Sequence, residues 1–87
     1  MSNTIDALLA ERATTHGDYA AHAAVTQQIK ELARQMPGWQ RLSDMQRETL
    51  DMTAHKMGRI LAGDPNIADH WDDIAGYNRL VSQRLTT

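Results

Sequence analysis

Between Gln46 and Tyr77 the chain reads QRETLDMTAHKMGRILAGDPNIADHWDDIAGY, two amphipathic helical segments joined by a Gly-Asp-Pro-Asn turn. At about 100° per residue, Glu48, Asp51, His55, Lys56 and Arg59 share one arc of the first segment, and Leu50, Ala54, Met57, Ile60 and Leu61 fill the opposite one. On the second segment Ile67, Trp71, Ile74, Val81 and Leu85 form an apolar stripe. Asp69, Asp72 and Asp73 lie on its other half, in the same sector as Gly76. Two such helices confine the chain to packed α-helices. They also set acids and bases beside a small residue, an arrangement suited to a phosphorylated ligand.

The remaining segments fit the same class. A first helix is expected from Thr4 to about Thr14, closed by His16-Gly17-Asp18 with Gly17 as its C-terminal cap. A second should run from Tyr19 to Met36, capped by Asp18, with Val25, Ile29, Leu32 and Met36 as its apolar seam. Pro37-Gly38 ends it, and Trp39 and Leu42 are expected to fold back onto the core. Ser43 with Gln46 has the form of a capping box for the third helix, which should end at Gly63. Asn66 is expected to cap the fourth helix, reaching Leu85. Short connections make consecutive helices antiparallel neighbours, so the expected fold is all-α, a four-helix bundle-like single domain over residues 1–87.

At 87 residues, a chain buries only around two-thirds of its unfolded surface. A partner copy is therefore expected to complete the core, as a homo-oligomer. Nine Lys and Arg against eleven Asp and Glu give a net charge of -2, which supplies no global basic field for nucleic acid. Cysteine is absent, which removes disulfides and thiolate metal sites and fits a reducing cytoplasm. No apolar run nears the roughly 20 residues of a membrane span, and the first residues lack a signal peptide's basic start and apolar middle. A cytoplasmic protein without membrane contact is the simplest expectation.

Three constellations carry possible chemistry. His16-Gly17-Asp18-Tyr19, with His22 a turn later, can present imidazoles and backbone N–H groups to an anion at a helix start; it also reads as a plain cap and turn. His55, Lys56 and Arg59 can meet phosphate oxygens from two directions, or form a solvated face. Gly58 points to close packing or ligand approach there, because an interior helical glycine costs about 1 kcal/mol relative to alanine. Asp69, Asp72 and Asp73 could hold Mg²⁺, or simply answer the helix dipole. Trp39 and Trp71 read as core anchors, and Tyr19 and Tyr77 sit where a hydroxyl could touch ligand. No nucleophile elbow, P-loop, HExxH or dinucleotide fingerprint is present.

The run of HGDY, HKMGRILAGDPN and DHWDDIAGY resembles a family of small phage and prophage proteins of unassigned function, over most of the chain. Its second half is also similar, more loosely, to MazG-like all-α nucleoside triphosphate pyrophosphohydrolases. Those enzymes cleave between the α and β phosphates with Mg²⁺ held by an ExxE and an ExxD motif, and work as dimers or tetramers. The resemblance would place Glu48 and Asp51 in the first motif, and Asp69 with Asp72 or Asp73 in the second. It departs from the enzymes where Asp51 replaces a glutamate and where His55, Lys56 and Arg59 occupy a face that is more acidic in them.

The leading expectation is thus a phage-type protein that binds a nucleotide or cyclic nucleotide without cleaving it and without a cofactor. Such a protein could sequester a host immune signal in the host cytoplasm. His16, Asp18, Tyr19, His22, His55, Lys56, Arg59, Asp73 and Tyr77 are its ligand-binding candidates. One alternative is a Mg²⁺-dependent pyrophosphohydrolase using Glu48, Asp51, Asp69, Asp72 and Asp73. Another is an interaction module that inhibits a host protein through its charged helix face.

Overall fold

Local chemistry sets the helix ends in the computed structural model, which describes residues 4–85; the outermost residues of the expected 1–87 domain lie outside it. α1 spans Thr4–His16, two residues past the expected stop. It ends where Gly17 turns to φ +80°, a left-handed backbone that glycine adopts without a Cβ penalty. Asp18 caps α2 (Tyr19–Gln35), its carboxylate accepting from the Ala21 N–H at 3.1 Å. Pro37 does not open a loop but starts a 3₁₀ turn, Pro37–Arg41. The Arg47 guanidinium donates back to the Trp39 and Gln40 carbonyls of that turn, each at 3.3 Å.

The capping box forms in full: Gln46 N–H donates to Ser43 Oγ at 3.1 Å, and Ser43 N–H to Gln46 Oε1 at 2.8 Å. It opens α3 (Asp44–Ala62), which Gly63 follows as C-cap. The expectation for Asn66 needs correction. α4 spans Ala68–Leu85, and Asn66 instead donates its N–H to Asp64 Oδ1 at 2.9 Å, which makes it a turn residue of the Asx type. With four α-helices, one 3₁₀ turn and no strand among the described residues, the chain is all-α. None of these helices is long and apolar enough to cross a membrane.

α3 is the central element, packed against both α2 and α4. Gly58 lies under α2: a Cβ there would overlap Thr26 Oγ1 and come within 2.5 Å of His22 Cδ2. The glycine thus serves close helix packing. Lys56 faces the other way and pairs with Asp73 of α4 at 2.9 Å. Two residues on a helix are separated by about 200°, so α2 and α4 sit on nearly opposite flanks of α3. The three helices form a layer rather than a closed four-helix bundle. α1 packs on one side of that layer, where Gly17 meets the Ala62 and Gly63 backbone.

A layer has little interior, and the burial pattern corrects the expected core. Ala54 is the only buried apolar side chain among the described residues, whereas His22, Thr26, Thr49, Lys56 and His70 are all buried. The seam residues Leu32, Met36, Leu50, Met57, Leu61 and Leu85 are exposed. Trp71, expected as a core anchor, is 54 % exposed and donates its Nε1–H to the Pro65 carbonyl at 2.7 Å. Trp39 is only partly covered, with the Arg34 and Arg47 guanidinium carbons 5.8 and 5.7 Å from its ring centre. The apolar stripes exist as read; what they cover lies outside the single layer.

Candidate functional site

The chain carries four histidines, and the fold gathers them into two neighbouring pairs. His22 on α2 meets His55 on α3, ring centres 4.7 Å apart. His16 at the end of α1 meets His70 on α4 at 5.1 Å. The Gly17 turn makes the second contact possible by swinging the end of α1 against the end of α3. Between α1, the start of α2 and the second half of α3 opens a cleft of about 420 Å³. Leu9, Arg12, Ala13 and His16 line it from α1, Tyr19 and His22 from α2, and His55 and Arg59 from α3, with Gly17 at the junction.

The lining combines the apolar Leu9 and Ala13 with two arginines and three imidazoles. His22 Nε2 lies 3.2 Å from the His55 carbonyl. A carbonyl only accepts, so Nε2 carries the proton and Nδ1 of the neutral ring is left as an acceptor. Burial pushes the His55 pKa down to about 4, with Arg59 the next cause, followed by His22, Lys56 and Lys30. Burial also lowers His22, against the bond to the His55 carbonyl, and it lowers His16, with Arg59 again the leading neighbouring charge. His16, His22 and His55 are therefore held towards the neutral form, in a field set by arginine and lysine. Arg59 Nε, His70 Nε2 and Thr26 Oγ1 are buried without a hydrogen-bond partner among the described residues.

Of the residues anticipated for ligand binding, His16, Tyr19, His22, His55 and Arg59 meet at this cleft. Asp18 stands at its edge as the α2 cap. Lys56 and Asp73 do not line it: they form an ion pair in which the Lys56 side chain is 10 % and the Asp73 side chain 47 % exposed. Tyr77 lies on α4, away from the lining residues. Arg12, Leu9 and Ala13 were not anticipated. The signal for Arg12 was its place one helical turn before His16. His70 was overlooked inside an acidic motif, although it lies one turn before the inward-facing Ile74.

The carboxylates considered for Mg²⁺ are divided between α3, which carries Glu48 and Asp51, and α4, which carries Asp69, Asp72 and Asp73. Asp51 is paired with Arg34 at 3.4 Å and Asp73 with Lys56, while Glu48, Asp69 and Asp72 are exposed. Among the described residues no three His, Asp or Glu side chains group as a metal site.

The ion pair of Asp73 has a consequence for stability. Removing one partner of a fully buried pair costs about 3–5 kcal/mol, but Asp73 is half exposed, so water replaces part of what Lys56 loses. Asp73→Ala is expected to lower unfolding free energy by about 1–3 kcal/mol, measured by urea denaturation. A variant as stable as the parent would mean that Lys56 finds water unaided.

Comparison with protein-family models, with curated proteins and with solved structures finds no match to this chain. The geometry gives a cleft lined by two arginines, three imidazoles, a tyrosine and the apolar Leu9 and Ala13.

Proposed function

We propose that the chain is a nucleotide-binding protein that holds its ligand in this cleft without cleaving it. The observation that carries the reading is Arg59: its Nε is buried without a partner, on the wall of a cleft that also takes Arg12 and three imidazoles. Phosphate oxygens are acceptors of the right charge for such a wall. Leu9, Ala13 and the exposed ring of Tyr19 offer the opposite character, a surface for a base. A volume of about 420 Å³ lies within the roughly 300–1,000 Å³ usual for small-molecule sites and gives room for about one mononucleotide. Binding without hydrolysis is favoured because Asp51 and Asp73 are committed to cations. Sequestration of a host signal by a phage-encoded homo-oligomer is the biological role we propose for such a binder, by analogy with small phage proteins that sequester host nucleotide signals.

The test is a calorimetric titration with nucleoside mono-, di- and triphosphates and cyclic nucleotides in the presence of EDTA. At least one should bind, and Arg59→Ala should weaken it about 10- to 150-fold, or about 1.5–3 kcal/mol, the range for hydrogen bonds to charged groups. Equal affinity in the folded variant, or no binding across the panel, would overturn the reading. Release of pyrophosphate once Mg²⁺ is added would restore the enzyme alternative.

A further inference from the structure

The face of the layer opposite the cleft is apolar and uncovered. On α3, Asp51 and Gly58 point to α2 and Thr53 and Lys56 to α4, as their contacts with Arg34, Thr26, Asn78 and Asp73 show. Two free arcs remain at about 100° per residue. One holds His55 and Arg59, the cleft side. The other holds Leu50, Met57 and Leu61, which are 43, 38 and 63 % exposed. This second arc is a ridge with a groove on each side: one of about 250 Å³ towards α4, lined by Leu50, Val81 and Leu85 among others, and a smaller one towards α2 that reaches Ile29.

Area and charge decide what covers it. A folded chain of 9.8 kDa ordinarily exposes about 5,200 Å², whereas this one exposes 6315 Å². The excess over the whole chain is on the order of 1,100 Å², enough to include the roughly 800 Å² that each partner contributes to a standard stable interface. The radius of gyration, 15.3 Å, is likewise above the about 12 Å of a globular chain this long. Leu50, Met57 and Leu61 carry no charge, so a second copy apposed to them meets no like-charge penalty. A ridge beside a groove is also self-complementary under a two-fold axis, since each copy can seat its ridge in the other's groove.

We propose that a second copy of the chain packs on this face, giving a two-fold dimer of two helical layers with both clefts turned outward. The dimer does not depend on what the cleft binds. Light scattering on the full chain at tens of micromolar should give twice the mass of one chain. Leu61→Glu, a change at an exposed position of the single chain, should halve that mass with helical circular dichroism retained.

A second measurement avoids any question of folding. The chain has no cysteine, so Leu61→Cys and Glu48→Cys place single thiols on the two faces of α3. The thiol at position 61 should react with a maleimide at least tenfold more slowly than the one at position 48. A parent chain that is monomeric, as it would be if a different protein covers the face, overturns the proposal. So does a Leu61→Glu variant that keeps the parent mass, or equal reactivity at the two positions.

Discussion

Replacing Gly17 by Ala is expected to lower unfolding free energy by roughly 2–5 kcal/mol, combining about 1–2 for a left-handed L-residue with about 1–3 for a forced overlap. Gly17 holds φ +80°, and a Cβ built on it falls into the Ala62 carbonyl, with the Gly63 Cα 2.9 Å away. Both obstacles are backbone, so no rotamer change relieves them. The loss is large against the roughly 4–13 kcal/mol that a chain of this length commands in all. Because the junction also delivers His16 to His70 and Arg12 to the cleft, any folded remainder should lose ligand affinity as well. Urea denaturation followed by circular dichroism checks the first effect; stability within about 1 kcal/mol of the parent would show that α1 can detach from α3 at little cost.

Acid is expected to destabilise the protein before its carboxylates are involved. His55 is held at about 4 in the folded chain against about 6.5 unfolded, and His16 and His22 are lowered in the same direction. Between those values the unfolded chain binds more protons than the folded one, so stability rises with pH across the window and falls as pH drops from about 6.5 towards 4. Above about 6.5 these groups are neutral in both states and contribute no slope. A fall in melting temperature of more than about 5 °C between pH 7 and pH 5 is expected, and His55→Asn should flatten it. A bound phosphate would act oppositely, because its charge offsets that of Arg59 and favours protonated imidazole. Ligand binding at pH 6 should therefore take up protons, visible as a calorimetric heat that changes with the buffer's ionisation enthalpy. A melting temperature that stays level down to pH 5 would mean the imidazoles protonate without opening the fold.

Helix ends were legible because they are decided by neighbours in the chain. Asp18, Ser43 with Gln46, Gly17 and Gly63 each act within a few residues of themselves. Asn66 misled because the Asx turn made by Asp64 carries the chain one residue further before α4 begins at Ala68, which leaves Ile67 and not Asn66 at the flanking position. The apolar stripes were legible as stripes, since helical period is a property of one segment. Their destination was not, because it depends on how helices sit around one another. Gly58 brings α2 hard against one flank of α3 and Lys56 reaches α4 on the other, and that pair of contacts flattens the fold and turns Leu50, Met57 and Leu61 outward.

The cleft was half legible for the same reason. His16, Tyr19 and His22 are close in sequence, and His55 and Arg59 lie one turn apart, so local spacing finds each group separately. Arg12 joins them, and His70 meets His16 behind them, only through the Gly17 turn, a contact between backbones far apart in the chain. Lys56 illustrates the limit of a helical wheel. It sits in the charged arc with His55 and Arg59, yet one residue's rotation carries it to the α4 flank, where Asp73 meets it.

A fold one layer thick has almost no interior of its own, with Ala54 as its single buried apolar side chain among the described residues. If most of the apolar contact is made between copies, the amount of chain present becomes a variable of its own folding. Each tenfold dilution of such a dimer removes about 1.4 kcal/mol of apparent stability. At low expression the chain would then persist as single helical layers, less stable and more open to proteolysis than the dimer, so its lifetime would depend on dose through the strength of one apolar face.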